Sequence, residues 1–298
     1  TVATVPPLQN PSSAYNASSN KYVVSTLGHL SYIAQNTSFW SKNFIQSADI
    51  DATVTKFWDD SDDAGGVSGD KYNDANDLTS SGSNEGFFPI GNSSTRFNGE
   101  YDGGGYSINN LTINRTSTQM VGLFGDSSGA SISNLSVTND NITGYEWVGS
   151  LVGMARSTTI DNCSASGIVT STSITGGLVG YAYCSSLPCT NGIIRNSYST
   201  ASVIDSGNGQ TGGLVGFIYR GTILNSYSTG SVVSSSTHSG GLVGRKGTAS
   251  TITDSFYDSD TSEQSDTGKG IGKTTSLMKT LATFTDTSSA CLLYTSPS

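Results

Sequence analysis

Three groups of residues have the types and spacing to do chemistry. The first is acidic: Trp58-Asp-Asp-Ser-Asp-Asp-Ala-Gly-Gly66, continuing through Asp70, Asn73, Asp74, Asn76 and Asp77. Hard oxygen donors interleaved with glycine suit Ca²⁺, and Asp60, Asp62, Asp70, Asp74 and Asp77 are its candidate ligands. Ala64 breaks the Asp-x-Asp-x-Asp-Gly spacing of a calcium loop, so a solvated acidic loop is the competing reading. The second group is Cys184-Ser-Ser-Leu-Pro-Cys189, in which two thiols around a proline either close a small disulfide hairpin or stay free. Cys163 reads instead as a small apolar packing residue. The third group is the Asn-x-Ser/Thr sequons at Asn16, Asn36, Asn92, Asn110, Asn114, Asn134, Asn141 and Asn162, a number close to chance for a chain this rich in Asn, Ser and Thr. The only histidines are His29 and His238, and no His-Glu-x-x-His occurs, which excludes the zinc-peptidase motif.

The elements that position these residues come from a phrase said five times. Met120-Val-Gly-Leu-Phe-Gly125, Val148-Gly-Ser-Leu-Val-Gly153, Thr175-Gly-Gly-Leu-Val-Gly180, Thr211-Gly-Gly-Leu-Val-Gly216 and Ser239-Gly-Gly-Leu-Val-Gly244 are variants of one segment. Their closing glycines stand 28, 27, 36 and 28 residues apart. Repetition at such a period marks a solenoid, whose units bury their apolar faces only by stacking. About seven residues after each closing glycine comes Ile-x-Asn, at Asn134, Asn162, Asn196 and Asn225, with Asp254 in the last copy and Asn110 as an earlier degenerate one. Ser164, Tyr198, Tyr227 and Phe256 then take equivalent places, followed by the pairs Ile168-Val169, Val203-Ile204 and Val232-Val233. Three short β-branched runs per unit, divided by Gly, Ser, Thr and Asn, give strand and turn signals with no helical period. One unit is therefore a rung of about 28 residues of a parallel β-helix, with the asparagines forming a ladder at one turn. Inward-pointing Asn110, Asn134 and Asn162 would leave no room for sugar, so Asn16, Asn36, Asn92 and Asn141 are the glycosylation candidates. The seven extra residues around Cys184 and Cys189 belong in a loop on one face.

The Gly-Gly-Leu-Val-Gly cores resemble the GLUG-motif repeats of bacterial surface proteins, adhesins and the non-catalytic parts of some immunoglobulin-cleaving metallopeptidases. Tyr22-Val-Val-Ser-Thr-Leu-Gly-His-Leu-Ser-Tyr-Ile-Ala34, Ala48-Asp-Ile-Asp-Ala52, Phe88-Pro-Ile-Gly91 and Phe97-Asn-Gly-Glu-Tyr-Asp-Gly103 are similar to the segments that usually precede them. The resemblance spans roughly residues 21–285 and implies a right-handed β-helix on an exported protein. It implies no catalysis.

Four regions follow. Residues 1–20 read as an extended arm, in which Thr1-Val-Ala-Thr-Val5 is a strand-like stretch able to pair with a neighbour. Residues 21–100 form a cap and irregular first coils, with a helix started by Ser25 or Thr26 and presenting Leu27, Leu30, Ile33 and Ala34 on one face. Residues 101–257 are the repeats. Residues 258–298 depart from the pattern, and the tail from about 286 matches nothing upstream and reads as non-native. The start at Thr1 reads as processed or engineered. Net charge of −9 and a pI near 4.5 argue against nucleic acid and anionic membranes, and no run of 18 apolar residues occurs.

The expected function is an extracellular structural or adhesive β-solenoid, secreted or at the cell surface, as an adhesin segment or a filament subunit. Its expected partners are copies of itself, neighbouring surface modules or glycans. The alternative is a carbohydrate-binding or polysaccharide-degrading β-helix. Cleavage needs clustered carboxylates on adjacent coils, whereas Asp161, Asp205 and Asp254 occupy different parts of their repeats, and Glu100 and Asp102 flank a glycine turn. An ice-binding face needs Thr-x-Thr in register, and Thr158-Thr159 does not recur. No cofactor is expected beyond the possible calcium. If the acidic segment is a calcium site, titrating chelated protein with Ca²⁺ gives heat and a higher melting temperature. A solvated loop gives neither.

Overall fold

The computed structural model describes residues 8–58, 84–186, 189–280 and 283–284. Within them the chain winds so that each circuit adds one strand to each of several stacked sheets, and strands one circuit apart pair in parallel. One sheet of nine strands runs from Tyr15–Asn16 through Lys21–Val24, Asn43–Gln46, Glu100–Asp102, Ser131–Ser133, Thr159–Asp161, Ile193–Arg195 and Thr222–Leu224 to Thr251–Thr253. A second sheet has five strands: Phe124–Ser128, Val152–Arg156, Val179–Tyr183, Val215–Tyr219 and Val243–Lys246. A branched sheet of fourteen strands forms the rest of the wall.

Register follows the repeats. Tyr101, Ile132, Ile160, Ile194, Ile223 and Ile252 stand directly above one another. Val152, Val179, Val215 and Val243 form a second row. Both rows point into one continuous core. In the third row the sequence alignment slips by one residue: Val169 pairs with Val203 and Val232, whereas Ile168 faces Ser202 from the outside. A one-residue shift turns a strand side chain to the other face, and burial of one β-branched residue per coil (Ile113, Ile142, Val169, Val203 and Val232) decides the register. The core is wide and aromatic at its N-terminal end, where Trp40, Trp58, Phe44, Phe87, Phe97, Tyr101 and Phe124 are buried. Helix α1, Leu27–Gln35, lies over that end with Leu27, Leu30, Ile33 and Ala34 buried. Thr26 Oγ1 caps it by accepting the His29 amide at 3.1 Å, and the Trp40 indole donates to Ile33 O at 2.8 Å.

The glycines of the repeated phrase are there for close approach. A Cβ on Gly153 would lie 2.5 Å from the backbone of Met120 and Val121, and one on Gly180 2.5 Å from that of Trp147 and Val148. No side chain fits between the coils there.

Asn134, Asn162, Asn196, Asn225 and Asp254 all adopt φ between 45° and 53° at one corner, the left-handed region that Asn and Asp tolerate best after glycine. Their side chains lie on the outside of that corner. Asn162 Nδ2 donates to Asn134 Oδ1 at 2.9 Å and Asn225 to Asn196 at 3.4 Å. Between these pairs the ladder breaks, because Asn196 donates to Asp161 Oδ1 at 2.9 Å. The ladder thus joins asparagines of successive coils, but outside the corner rather than inward, and Asn110 is not part of it. Asn109 pairs with Thr138, which puts Asn110 level with Asn139 at a different left-handed corner, beside Asp51.

The residue after each ladder position forms a buried row that the sequence did not announce. Ser197, Ser226 and Ser255 each donate a hydroxyl to the backbone two residues back at 2.7–2.8 Å. Each also accepts an amide from the coil before: Cys163 N, Ser197 N and Ser226 N at 3.1–3.3 Å. Cys163 holds the same place in its own coil, and burial pushes its thiol up to about 12, which makes it unreactive.

Two boundaries also move. Residues 8–20 are not a free arm. Gln9 N donates to Gly28 O at 3.1 Å, Asn10 caps a short 3₁₀ turn over a buried Pro11, and Tyr15–Asn16 pairs antiparallel with Lys21–Val24. Nor does pairing stop at 257, because Ile271–Lys273 adds a parallel strand to Phe256–Asp258.

The corner conformation sets a test. Asn196→Val is expected to lose about 1–2 kcal/mol for a branched residue in the left-handed region, besides the contacts to Asp161 and Asn225, whereas Asn196→Gly loses only those contacts. Denaturant midpoints read the difference. Equal losses would show that side-chain bonding, not backbone conformation, selects asparagine.

Candidate binding surface

The outward face of the five-stranded sheet carries the densest chemistry among the described residues. Directly after the closing glycines of the third and fourth phrases the chain places Tyr181-Ala-Tyr183 and Phe217-Ile-Tyr219. Ala182 and Ile218 turn inward and are buried, so the aromatic residues flanking them face out, half-buried. Parallel register sets Tyr181 beside Phe217 and Tyr183 beside Tyr219. Their rings stack almost coplanar, with centroids 4.9 and 5.8 Å apart and interplanar angles of 5° and 4°. Trp147, itself at φ 57°, lies 6.3 Å from the far side of Tyr181. Each such pair contributes about 0.5–1.5 kcal/mol beyond area burial.

Arginines close the ends of the stacks. Arg245 is next in register after Phe217 and sits 5.1 Å over its ring, while Arg220 sits 4.8 Å over Tyr219. Neither guanidinium has a carboxylate partner among the described residues, and neither do the hydroxyls of Tyr181, Tyr183 and Tyr219 have hydrogen-bond partners there. Arg156, next to Tyr183 in register, is different. It donates to Asp126 Oδ1 at 3.0 Å, and Arg96 reaches the other oxygen at 3.1 Å. Burial nevertheless holds the Asp126 carboxyl above its ordinary range.

The loop that borders this surface is the insertion in the third repeat. Cys184 follows Tyr183 directly, and its amide donates to Tyr219 O at 3.0 Å, extending the strand pairing. Cys184 and Cys189 are joined by a disulfide. Insertions in repeat proteins gather on one face, often the binding face.

The other residues singled out in the sequence lie elsewhere. Asp60, Asp62, Asp70, Asp74 and Asp77 fall outside the described residues. Asn16 and Asn92 use their side-chain oxygens to hold turns, accepting Ser18 N at 3.0 Å and Ser94 N at 2.9 Å, which leaves their amide nitrogens outward. Asn141 is exposed on a strand. Asn36 is a poorer glycan acceptor, because its amide nitrogen donates to Tyr32 O at 2.7 Å at the helix end. The acids of the repeats are structural. Asp161 pairs with Arg195 at 2.7 Å, and Asp205 accepts Gly207 N at 3.0 Å and Gly209 N at 2.9 Å in a tight corner. Lys21 bridges Glu100 at 2.7 Å and Asp102 at 3.3 Å. The aromatic surface was missed in the sequence, although its signal was present: an aromatic directly after each of two closing glycines, repeated two residues on.

Asp140 is the exception among the acids. Its carboxyl is buried and neither oxygen is paired in hydrogen-bond geometry, with Ser150 and the Ile168 amide nearby only softening the cost. Desolvation raises it well above the usual carboxylate range. The folded protein therefore keeps a proton that the unfolded chain releases near pH 4, and folding stability falls as pH rises from there toward the folded value. The melting-temperature advantage of Asp140→Asn over wild type is expected to widen between pH 4 and 8. A pH-independent difference would show that Asp140 ionises freely in the fold.

Comparison with known proteins agrees with this architecture. The GLUG motif matches residues 207–233, one coil that includes Phe217 and Tyr219. Halomucin of Haloquadratum walsbyi is 33% identical over 168 residues, covering 53% of this chain and 2% of halomucin. A protein of Evansella cellulosilytica named as a Gly-rich membrane protein is 38% identical over 98 residues, 31% of this chain and 11% of that protein. The chain thus spans a small fraction of the length of these relatives. A crystal structure from Bacteroides ovatus, titled as that of an immunoglobulin A1 protease, superposes with a TM-score of 0.57 at 20% identity. The match covers 82% of this chain and 68% of that one, and it shows likeness of fold alone.

Proposed function

We propose that this chain is a section of an extracellular cell-surface protein, in which a right-handed solenoid acts as a spacer and contact surface and performs no catalysis. The observation that carries the reading is the use of the acids. In the repeats Asp161 and Asp205 are taken up by ion pairs and backbone amides, and Asp126 lies buried under two arginines. Among the described residues of the repeats, no neighbouring carboxylates are left free on adjacent coils to act as an acid and base pair. Handedness follows the general rule for parallel strand–crossover–strand units. The Cys184–Cys189 bond suits an oxidising compartment, and long proteins such as halomucin contain related sequence over a small part of their length.

Residues 8–20 are folded onto the first coil, so self-assembly through them would need them to detach, while the strand-like stretch Thr1–Val5 lies outside the described residues. The reading therefore favours a stalk or adhesin section over a filament subunit.

Antibody against this chain should label intact cells of the organism that makes it, and mild protease treatment of those cells should remove the label. Signal appearing only after lysis overturns the surface placement. Incubation with neutral and acidic polysaccharides should release no new reducing ends, and release would overturn the non-catalytic role.

A further inference from the structure

The aromatic surface carries an unusual arrangement of charge and ring orientation. The chain is acidic overall, at −9 with only 14 Lys and Arg. Yet Arg220, Arg245 and Lys246 gather at one end of this sheet with no carboxylate partner among the described residues. The acid on the same face, Asp126, is buried under Arg96 and Arg156. Unpaired cations held on an acidic protein mark a place where an anion completes the charge balance.

The rings sharpen the choice. Because Tyr181 stacks flat on Phe217 and Tyr183 on Tyr219, and Arg245 and Arg220 cover further ring faces, those faces are largely consumed within the protein. What remains outward is ring edge, the positive side of the aromatic quadrupole, together with three unpartnered phenol hydroxyls. A neutral sugar that stacks on an open aromatic face finds little room here. A sugar bearing a carboxylate finds guanidinium forks for the acid, hydroxyl donors for its ring oxygens and hydroxyls, and edges of matching sign.

We infer that the outward face of the five-stranded sheet, through Tyr181, Tyr183, Tyr219, Arg220 and Arg245, binds an acidic polysaccharide along the solenoid axis. Tyr183 and Tyr219 stand level on successive coils, as do Tyr181, Phe217 and Arg245, at the strand spacing of about 4.8 Å, and an extended chain of linked uronic acids advances by a comparable step. This inference rests on the surface placement proposed above, since such polymers lie outside cells.

Electrophoresis of the full chain through gels containing polygalacturonate, dextran or single-stranded DNA tests it. The wild-type protein is expected to be retarded by polygalacturonate and not by dextran, with the retardation weakening as salt is raised. Loss of two charge-assisted contacts in the Arg220→Ala/Arg245→Ala variant should weaken retardation by about tenfold or more at unchanged melting temperature. Tyr183→Phe/Tyr219→Phe, which keeps the stack, should weaken it by a smaller factor. No retardation by polygalacturonate, equal retardation by dextran, equal retardation of both variants and wild type, or tighter retention by DNA each overturns the inference. None of these results bears on the cell-labelling test, so the surface placement stands or falls separately.

Discussion

The spacing between parallel strands, about 4.8 Å, governs nearly everything else in this protein. Consecutive coils must approach to that distance over the whole circuit, including the corners, where side chains would otherwise hold backbones apart. The repeated glycines answer that demand. Gly153, Gly180 and Gly244 each have backbone of another coil within about 2.5 Å of where a Cβ would sit. With those contacts made, leucine and valine on either side fall into vertical rows and share one dry interior. A single coil has neither the area nor the partners to do this, which is why the phrase must recur.

Corners are the second place where the backbone limits the sequence. A chain turning sharply between strands needs positive φ, and it must still satisfy its amides and carbonyls away from water. Asparagine supplies the conformation at Asn134, Asn162, Asn196 and Asn225, and the serine after it supplies hydrogen bonds to the adjacent coil at Ser197, Ser226 and Ser255. Function then has only the outward positions to work with. Tyr181, Tyr183, Phe217 and Tyr219 are outward residues on strands whose inward neighbours are fixed by the core. Such positions are free to vary from coil to coil, and the first two coils of the same sheet carry Asp126, Met154 and Arg156 there instead.

Charge is used sparingly and mostly for structure. Asp126, Asp161 and Asp205 hold neighbouring coils or corners together, while Asp140 sits unpaired in the interior at a cost that grows with pH. The consequence is a surface on which a few uncommitted arginines stand out. Their field is not cancelled locally, although the molecule as a whole is acidic.

Much of this was legible in the residues themselves. The period of the glycine phrase, the β-branched runs and the isoleucine before each asparagine specify parallel stacking, because apolar rows and close approach are local requirements written into each repeat. Thr26 at the head of an apolar-faced helix is equally local. What the sequence left open depended on which atoms lie opposite one another. Ile108-Asn-Asn110 imitates the ladder phrase but belongs to another corner, since Tyr101 already fills the isoleucine position of that coil. The asparagines bond one another and Asp161 on the outside of the corner, which no count of residues reveals. The stacked rings beside unpaired arginines exist only once residues some 36 apart are brought level, and the tertiary register alone decides that.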